Sequence, residues 1–228
     1  MEIEAKYSIR EEDLNAWLLA LEQPPFRRFI PDGPILTPEM HALYFDDGEQ
    51  RLSGQQFCLR LRSEGERTVL TVKGAAGGKD ELQRRYEWEW LLENFPLSET
   101  QSSDFAIRFE ALFKEKAEGI ERISTAFAAF DWESLRICAE MRYIRHLRHF
   151  CQGHQRIEWC IDHGFFLCGQ EREAFSELEA EILEGDEEGL ASFIHELAQL
   201  GSLRGENQSK LERALSFCGR CHEAQPTL

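Results

Sequence analysis

Residues 2–7, Glu2-Ile3-Glu4-Ala5-Lys6-Tyr7, decide how the rest of the chain is read. On an extended strand, successive side chains point to opposite faces. Glu2, Glu4 and Lys6 therefore share one face, and Ile3, Ala5 and Tyr7 share the other. Two carboxylates and an ammonium are too many charges for an ordinary half-buried strand. The pattern recurs. Arg60 and Arg62 alternate with Leu59 and Leu61. Glu87 and Glu89 alternate with Tyr86, Trp88 and Trp90. Glu158 and Asp162 alternate with Ile157, Trp159 and Ile161, and Glu177, Glu179 and Glu181 with Leu178, Ala180 and Ile182.

The chain has 228 residues and is 42% hydrophobic, with 16 Phe and 5 Trp. That suits a sizeable core in one domain spanning residues 1–228. Its net charge of −16 repels nucleic acid and anionic membrane at long range, so neither is an expected partner. An anionic ligand must find a local cationic site. No apolar run is long enough to cross a bilayer, and Met1 leads straight into the charged strand without a leader. The expected location is cytoplasmic, and a homodimer stays open. The seven Cys follow no regular spacing and read as reduced thiols. Cys218-Gly-Arg-Cys221 is an isolated CxxC, and His222 has the wrong spacing to complete a zinc site.

Outward from the first strand, Leu14, Trp17, Leu18 and Leu21 recur at helical spacing over residues 11–22, and Pro24-Pro25 stops that helix. Residues 26–39 read as a Pro- and Gly-containing connection, and 40–46 as a strand. Residues 55–63 and 66–74 read as a hairpin about Glu64-Gly65. Gly74 to Gly78 reads as a glycine-rich loop tip without the spacing of a phosphate-binding loop. Strands are expected at 82–92, 138–149, 155–162, 164–168 and 174–183. Helices are expected at 104–118, 187–200 and from Asn207 to Cys218, with Asn207 or Ser209 as N-cap. Residues 120–130 read as helix or irregular. The fold class is α+β on an antiparallel sheet.

A single charged strand face would simply be wet. Five such faces with mixed signs favour a closed barrel, with the charges inside and the apolar faces outside under four helices. About eight antiparallel strands leave an interior wide enough for a small ligand. The expected architecture is an eight-stranded antiparallel closed β-barrel, a tunnel with a charged interior. Its acids would be Glu2, Glu4, Glu87, Glu89, Glu158, Asp162, Glu177, Glu179 and Glu181. Carboxylates this dense repel one another and need divalent cations. Hard oxygen ligands favour Mg²⁺ or Mn²⁺. Lys6, Arg60, Arg62, Lys73 and one of Arg142 and Arg145 would supply phosphate-binding cations. Arg142 and Arg145 have opposite parity, so a regular strand turns only one of them inward. Acids for metal and bases for phosphate imply a metal-chelated polyphosphate.

These residues resemble the CYTH superfamily, the triphosphate tunnel metalloenzymes. Glu2-Ile3-Glu4-Ala5-Lys6 is similar to its ExExK signature. Leu59-Arg60-Leu61-Arg62 is similar to its LRxR strand, and Thr71-Val72-Lys73-Gly74 to its TxKG strand. Arg85-Tyr86-Glu87-Trp88-Glu89 is similar to its RxExE strand, and Tyr143-Ile144-Arg145 to its FxR strand. Glu158 to Gly164 resembles ExxxDxG, Glu177 to Glu181 resembles ELELEL, and Ser209-Lys210 resembles the SK motif. The layout looks most like the bacterial inorganic triphosphatases, here without a helical CHAD domain.

The resemblance implies a metal-dependent hydrolase that cuts a triphosphate, inorganic triphosphate foremost, to phosphate and diphosphate. Lys6, Arg60, Arg62, Lys73, Arg145 and Lys210 would hold the phosphate oxygens. Glu2 and Glu4, with Glu177 and Glu179 across the barrel, would bind the metal. Asp162, or a second metal on the remaining acids, would orient the attacking water. Glu2, Glu4, Lys73, Arg145 and Asp162 are thus the expected catalytic set. Glu87 and Glu89 have a second reading, as partners that orient Arg60, Arg62 or Lys73. His163 should face away from Asp162 and take no part. An adenylyl cyclase making cAMP, a thiamine triphosphatase and a non-catalytic triphosphate sensor are the alternatives.

Overall fold

The computed structural model describes residues 1–75 and 82–223. Residues 76–78 of the expected glycine-rich loop lie outside the described residues. The strands are β1 (Glu2–Ser8), β2 (Ile30–Leu36), β3 (Glu39–Asp46), β4 (Phe57–Glu64), β5 (Arg67–Ala75), β6 (Leu82–Leu92), β7 (Arg136–Gln152), β8 (Gln155–Cys168), β9 (Glu171–Glu184) and β10 (Arg204–Gly205). The α-helices are α1 (Leu14–Glu22), α2 (Arg51–Gly54), α3 (Phe105–Lys116), α4 (Glu121–Ala126), α5 (Glu187–Leu197) and α6 (Lys210–Glu223).

Eight strands close into an antiparallel barrel in the order β1-β6-β5-β4-β3-β7-β8-β9, and β9 pairs back onto β1. The expected α+β tunnel is present. Closure satisfies the backbone groups that an open sheet would leave at its edges. Two short strands extend the wall. β2 pairs with the far half of β7, and β10 with the end of β1.

β2 lies in the stretch read as a connection. Pro31, Gly33 and Pro34 disguise it, because a strand paired on one side tolerates the missing donors. β8 runs unbroken through the break expected at residue 163. Gly164 permits this, since a Cβ there would stand 2.2 Å from the Arg142 carbonyl oxygen. α6 starts at Lys210. Ser209 Oγ accepts from the Glu212 N–H at 3.1 Å, and the Glu212 carboxylate accepts from the Ser209 N–H at 2.7 Å. This reciprocal cap selects Ser209 over Asn207.

The apolar faces point outward, as expected. Leu59, Leu61, Leu70 and Val72 pack under Phe109, Phe113 and Ile123 of α3 and α4. Ile157, Trp159, Ile161 and Leu178 pack under Trp17, Leu21, Leu190 and Phe193 of α1 and α5. Each fully buried side chain of this size contributes about 1.5–3 kcal/mol. α6 departs from the expectation that helices cover only the outside. Its Ala214 and Phe217 pack with Met40, Ala42, Tyr44, Met141 and Phe166, which share the inward parity of the ionic residues. Part of the interior is therefore apolar and plugged by a helix. Among the described residues no helix is long and apolar enough to cross a membrane.

Candidate active site in the barrel

The inward faces converge on a cavity of about 1340 Å³. Its walls carry Glu2, Glu4 and Lys6 from β1, Arg60 and Arg62 from β4, and Lys73 from β5. Glu87 and Glu89 from β6, Arg145 from β7, Glu158 from β8, Glu179 and Glu181 from β9, and Lys210 from α6 complete the ionic lining. Arg145 points in and Arg142 points out, where its side chain is 64% exposed. One further register decision follows from the closure. β1 and β9 are neighbours, with Lys6 opposite Glu179 and Glu4 opposite Glu181. β9 thus lies next to β1, with Glu179 beside Lys6 and Glu177 beside Ser8, and not across the barrel as expected from the sequence.

The deepest charges form a closed network. Arg145 grips Asp162 with two nitrogens, at 2.8 and 2.7 Å, and reaches Glu179 at 2.9 Å. Lys210 lies 2.9 Å from Asp162 and 3.0 Å from Glu179, and also contacts Glu177. Arg213, one turn on from Lys210, contacts Glu177 from the other side. Burial by itself would raise the pKa of Asp162 and Glu179, but Arg145 and Lys210 outweigh it and hold both below the usual carboxylate range. Burial would likewise lower Lys210, but Asp162 and Glu179 hold it above the ordinary lysine value.

Nearer the β5–β6 wall, Lys73 pairs with Glu2 at 2.8 Å and with Glu87 at 3.0 Å. Glu89 receives Arg60 at 3.2 Å and lies 3.6 Å from Arg62. Thr71 Oγ1 accepts from Arg60 at 3.0 Å. Glu87 and Glu89 therefore orient Arg60, Arg62 and Lys73, the second of the two readings offered for them. Buried Nε atoms of Arg60 and Arg62 have no hydrogen-bond partner, so both guanidiniums keep donor capacity beside the cavity. Lys6 lies 3.4 Å from Glu4 and 3.8 Å from Glu179.

Glu181 differs from the rest. It makes no ion pair or hydrogen bond among the described residues. Its strand neighbours are Glu4 on β1 and Glu158 on β8. Burial, with Glu2 next and Glu4 and Glu158 behind it, pushes its carboxyl up to about 9. Carboxyl oxygens crowded until one keeps its proton are the donor set of a hard divalent cation, so the residues present fit Mg²⁺ or Mn²⁺. A tighter group, Cys160, Asp162 and Glu179, has ligand atoms within 4.8 Å of one another. It does not suit the same cation. Arg145 and Lys210 already neutralise both carboxylates, and burial keeps the Cys160 thiol protonated well above its ordinary range.

The sequence profile of the CYTH domain matches residues 1–215. The chain belongs to the CYTH domain family. No curated protein is significantly similar to it in sequence. Among solved structures, HpAC1 from Hippeastrum is 18% identical with a TM-score of 0.70 over 95% of this chain and 96% of its own. It is described as a candidate adenylyl cyclase with a dominant triphosphatase activity. A candidate adenylate cyclase from Bacillus halodurans is 17% identical, with a TM-score of 0.57 over 93% of this chain and 96% of its own. PH1819 from Pyrococcus horikoshii is 16% identical, with a TM-score of 0.55 over 95% and 99%. At these identities the likeness is one of fold.

Within this CYTH barrel, Glu2, Glu4, Lys6, Arg60, Arg62, Lys73, Arg145, Glu179 and Lys210 meet at one cavity. Asp162 and Glu177 do not share that position. Both are wholly buried, and their charges go to Arg145, Lys210 and Arg213. His163 lies on the outer face, 3.1 Å from His146. Arg85 and Gln83 were missed as lining residues. The alternation that marks Glu87 and Glu89 extends back to both, so the signal was in the β6 sequence.

Proposed function

We propose that the chain hydrolyses a metal-chelated triphosphate, inorganic triphosphate foremost, to phosphate and diphosphate inside the barrel. The observation that carries this reading is the sorting of charge within one cavity. A row of carboxyls, Glu2, Glu4, Glu181 and Glu158, stands beside cations from five other elements. Simple phosphate capture needs the cations alone. Surplus carboxyls with a protonated member call for a divalent metal as well.

Lys6, Arg60, Arg62, Lys73, Arg145 and Lys210 would hold the phosphate oxygens. Glu2, Glu4 and Glu181 would hold Mg²⁺ or Mn²⁺, which when bound would supply positive charge to offset that of the triphosphate. Asp162 and Glu177 take a role other than metal ligand or water activator. Asp162 fixes the heads of Arg145 and Lys210, and Glu177 holds Lys210 and Arg213, so the cations meet substrate already oriented. Phosphoryl transfer gains most from such positioning and charge neutralisation. The HpAC1 likeness supports the hydrolytic reading over cyclisation, since a dominant triphosphatase activity is what is described for that protein.

The test is phosphate release from tripolyphosphate, thiamine triphosphate, ATP and longer polyphosphates, each with Mg²⁺ and with Mn²⁺. Tripolyphosphate should be the fastest substrate, and chelator should abolish turnover. Release of cAMP from ATP as the main product would establish the cyclase instead. Tight metal-dependent binding of tripolyphosphate without any phosphate release would establish a sensor.

A further inference from the structure

Gln83 and Arg85 line the cavity from β6, outside the set of cations given to phosphate, and one amide joins them. Gln83 Oε1 accepts from Arg85 Nη2 at 2.6 Å and from Lys6 Nζ at 3.5 Å. At its other end Gln83 Nε2 donates to the Glu206 carbonyl oxygen at 3.0 Å. Two cationic donors on one side and a carbonyl on the other leave the amide a single orientation. Glu206 is itself tied down. Its N–H donates to the Lys6 carbonyl oxygen at 2.9 Å, and its carboxylate lies 3.7 Å from Arg213 Nη1 of α6.

Arg85 differs from the cations given to phosphate. Lys6, Arg60, Arg62, Lys73, Arg145 and Lys210 each lie within 3.6 Å of a carboxylate oxygen. Among the described residues Arg85 makes no ion pair, and its partner is the neutral Gln83 amide. Its register partner on β1 is Glu2, which Lys73 already holds at 2.8 Å. A close carboxylate cancels much of a cation's field, so a phosphate must compete with it. An amide oxygen fixes the direction of a guanidinium and leaves its charge to the ligand. The amide also has the N–H that a carboxylate lacks, and here that N–H binds the segment leading into α6.

We propose that Gln83 is a positioning residue for the triphosphate: its amide aims Arg85 and Lys6 into the cavity without neutralising them, and Arg85 meets the incoming phosphate with its charge uncancelled. The inference rests on the triphosphate reading of the same cavity and adds a seventh cation and the group that orients it. A carboxylate of equal length would hold the same two cations. It would also cancel one of their charges and give up the bond to Glu206.

Calorimetry of the full chain with tripolyphosphate in chelator reads anion binding without metal. That separation matters because Glu4 of the carboxyl row is the register partner of Gln83. Gln83→Met keeps the length of the side chain and removes both hydrogen-bonding ends. It should weaken tripolyphosphate binding about 5–10-fold, and Arg85→Met should weaken it about 10–100-fold. In the Arg85→Met background, Gln83→Met should add little, since only Lys6 is left to orient. Gln83→Glu separates positioning from support of the fold. It should hold or raise Tm by pairing with Arg85 and Lys6, yet bind tripolyphosphate no better than Gln83→Met. With Mg²⁺ present, KM should rise in the same order across the variants. Wild-type affinity in Gln83→Met overturns the positioning role. So do effects of the two Met variants that simply multiply, or an affinity in Gln83→Glu that follows its Tm. Binding in chelator without phosphate release in Mg²⁺ defeats the hydrolase reading alone, and the variants still test Gln83. A wild-type chain that takes up no tripolyphosphate in either condition overturns both.

Discussion

The Lys210 ammonium, carried in by the first turn of α6, lies 2.9 Å from an Asp162 oxygen that has no solvent exposure. The same oxygen receives Arg145 at 2.7 Å. One buried carboxylate thus holds two of the cations that face the cavity. Removing its charge leaves both cations to Glu179, with Glu177 also on Lys210. Asp162→Asn should destabilise the fold by about 3–5 kcal/mol, a fall in Tm on the order of 10 °C. Metal affinity, read by calorimetry, should change little. Loss of metal binding at an unchanged Tm would make Asp162 a ligand and would contradict the positioning role.

Glu4 sits between Lys6, at 3.4 Å, and the strand position of Glu181. Glu4→Gln removes a charge from the carboxyl row without changing side-chain volume. Turnover of tripolyphosphate should fall about 10²-fold or more, with the circular dichroism spectrum unchanged. Near-normal metal-dependent turnover in this variant would refute the assignment.

Lys6 tests the other half of the site. Its side chain is 3% exposed and lies 3.8 Å from Glu179. Lys6→Met keeps the stem and removes the charge that would meet a phosphate oxygen. We expect kcat/KM for tripolyphosphate to drop by about 10²-fold while Mn²⁺ still binds. A titration of Mn²⁺ by electron paramagnetic resonance separates the two effects.

Glu181 sets a pH dependence whose sign can be worked out. Its folded value of about 9 stands above the ordinary 4.5. Its contribution to stability is therefore complete below about pH 4.5 and is lost as pH rises towards 9. Metal-free protein should lose Tm across that window, and Glu181→Gln should flatten the slope. Mg²⁺ or Mn²⁺ binding at neutral pH should release about one proton per chain, read by calorimetry in two buffers. A slope that survives Glu181→Gln would assign the effect elsewhere.

Gly164 tests the wall itself. A Cβ there would meet the Arg142 carbonyl oxygen at 2.2 Å and Tyr143 Cα at 2.4 Å. Both contacts are backbone and cannot swing aside. Gly164→Ala should therefore cost at least about 1–3 kcal/mol, visible as a lower urea midpoint. An unchanged midpoint would mean that β7 and β8 are spaced more widely than described.

Much of the fold was legible in the chain because strand parity is strict. The spacing of Glu2, Glu4 and Lys6 fixes a shared face whatever the strand pairs with, and the same holds for Arg60 with Arg62 and for Glu179 with Glu181. β2 was hidden because Pro31, Gly33 and Pro34 oppose strand propensity, and a one-sided pairing overrides that. Parity alone left Arg142 and Arg145 open, the resemblance to the FxR strand chose Arg145, and its pairing with Asp162 on β8 agrees. The separation of Glu177 and Asp162 from the cavity was also hidden. Parity puts them on the inner face, but depth along the barrel and the insertion of α6 decide that they meet Lys210 rather than solvent.

By itself the sequence determined which side chains face inward, because the two-residue period of a strand is local. It also carries the proposed kind of ligand, because the mix of carboxyls and cations is a matter of composition. Only the tertiary structure decided which charges neutralise one another, because β1 closes on β9 and α6 enters the barrel from a distant part of the chain. That contact leaves Glu181 among other carboxylates, with Lys73 offsetting them in part, and gives Asp162 two cations. Such distances follow from closure of the whole ring, and no local pattern records them.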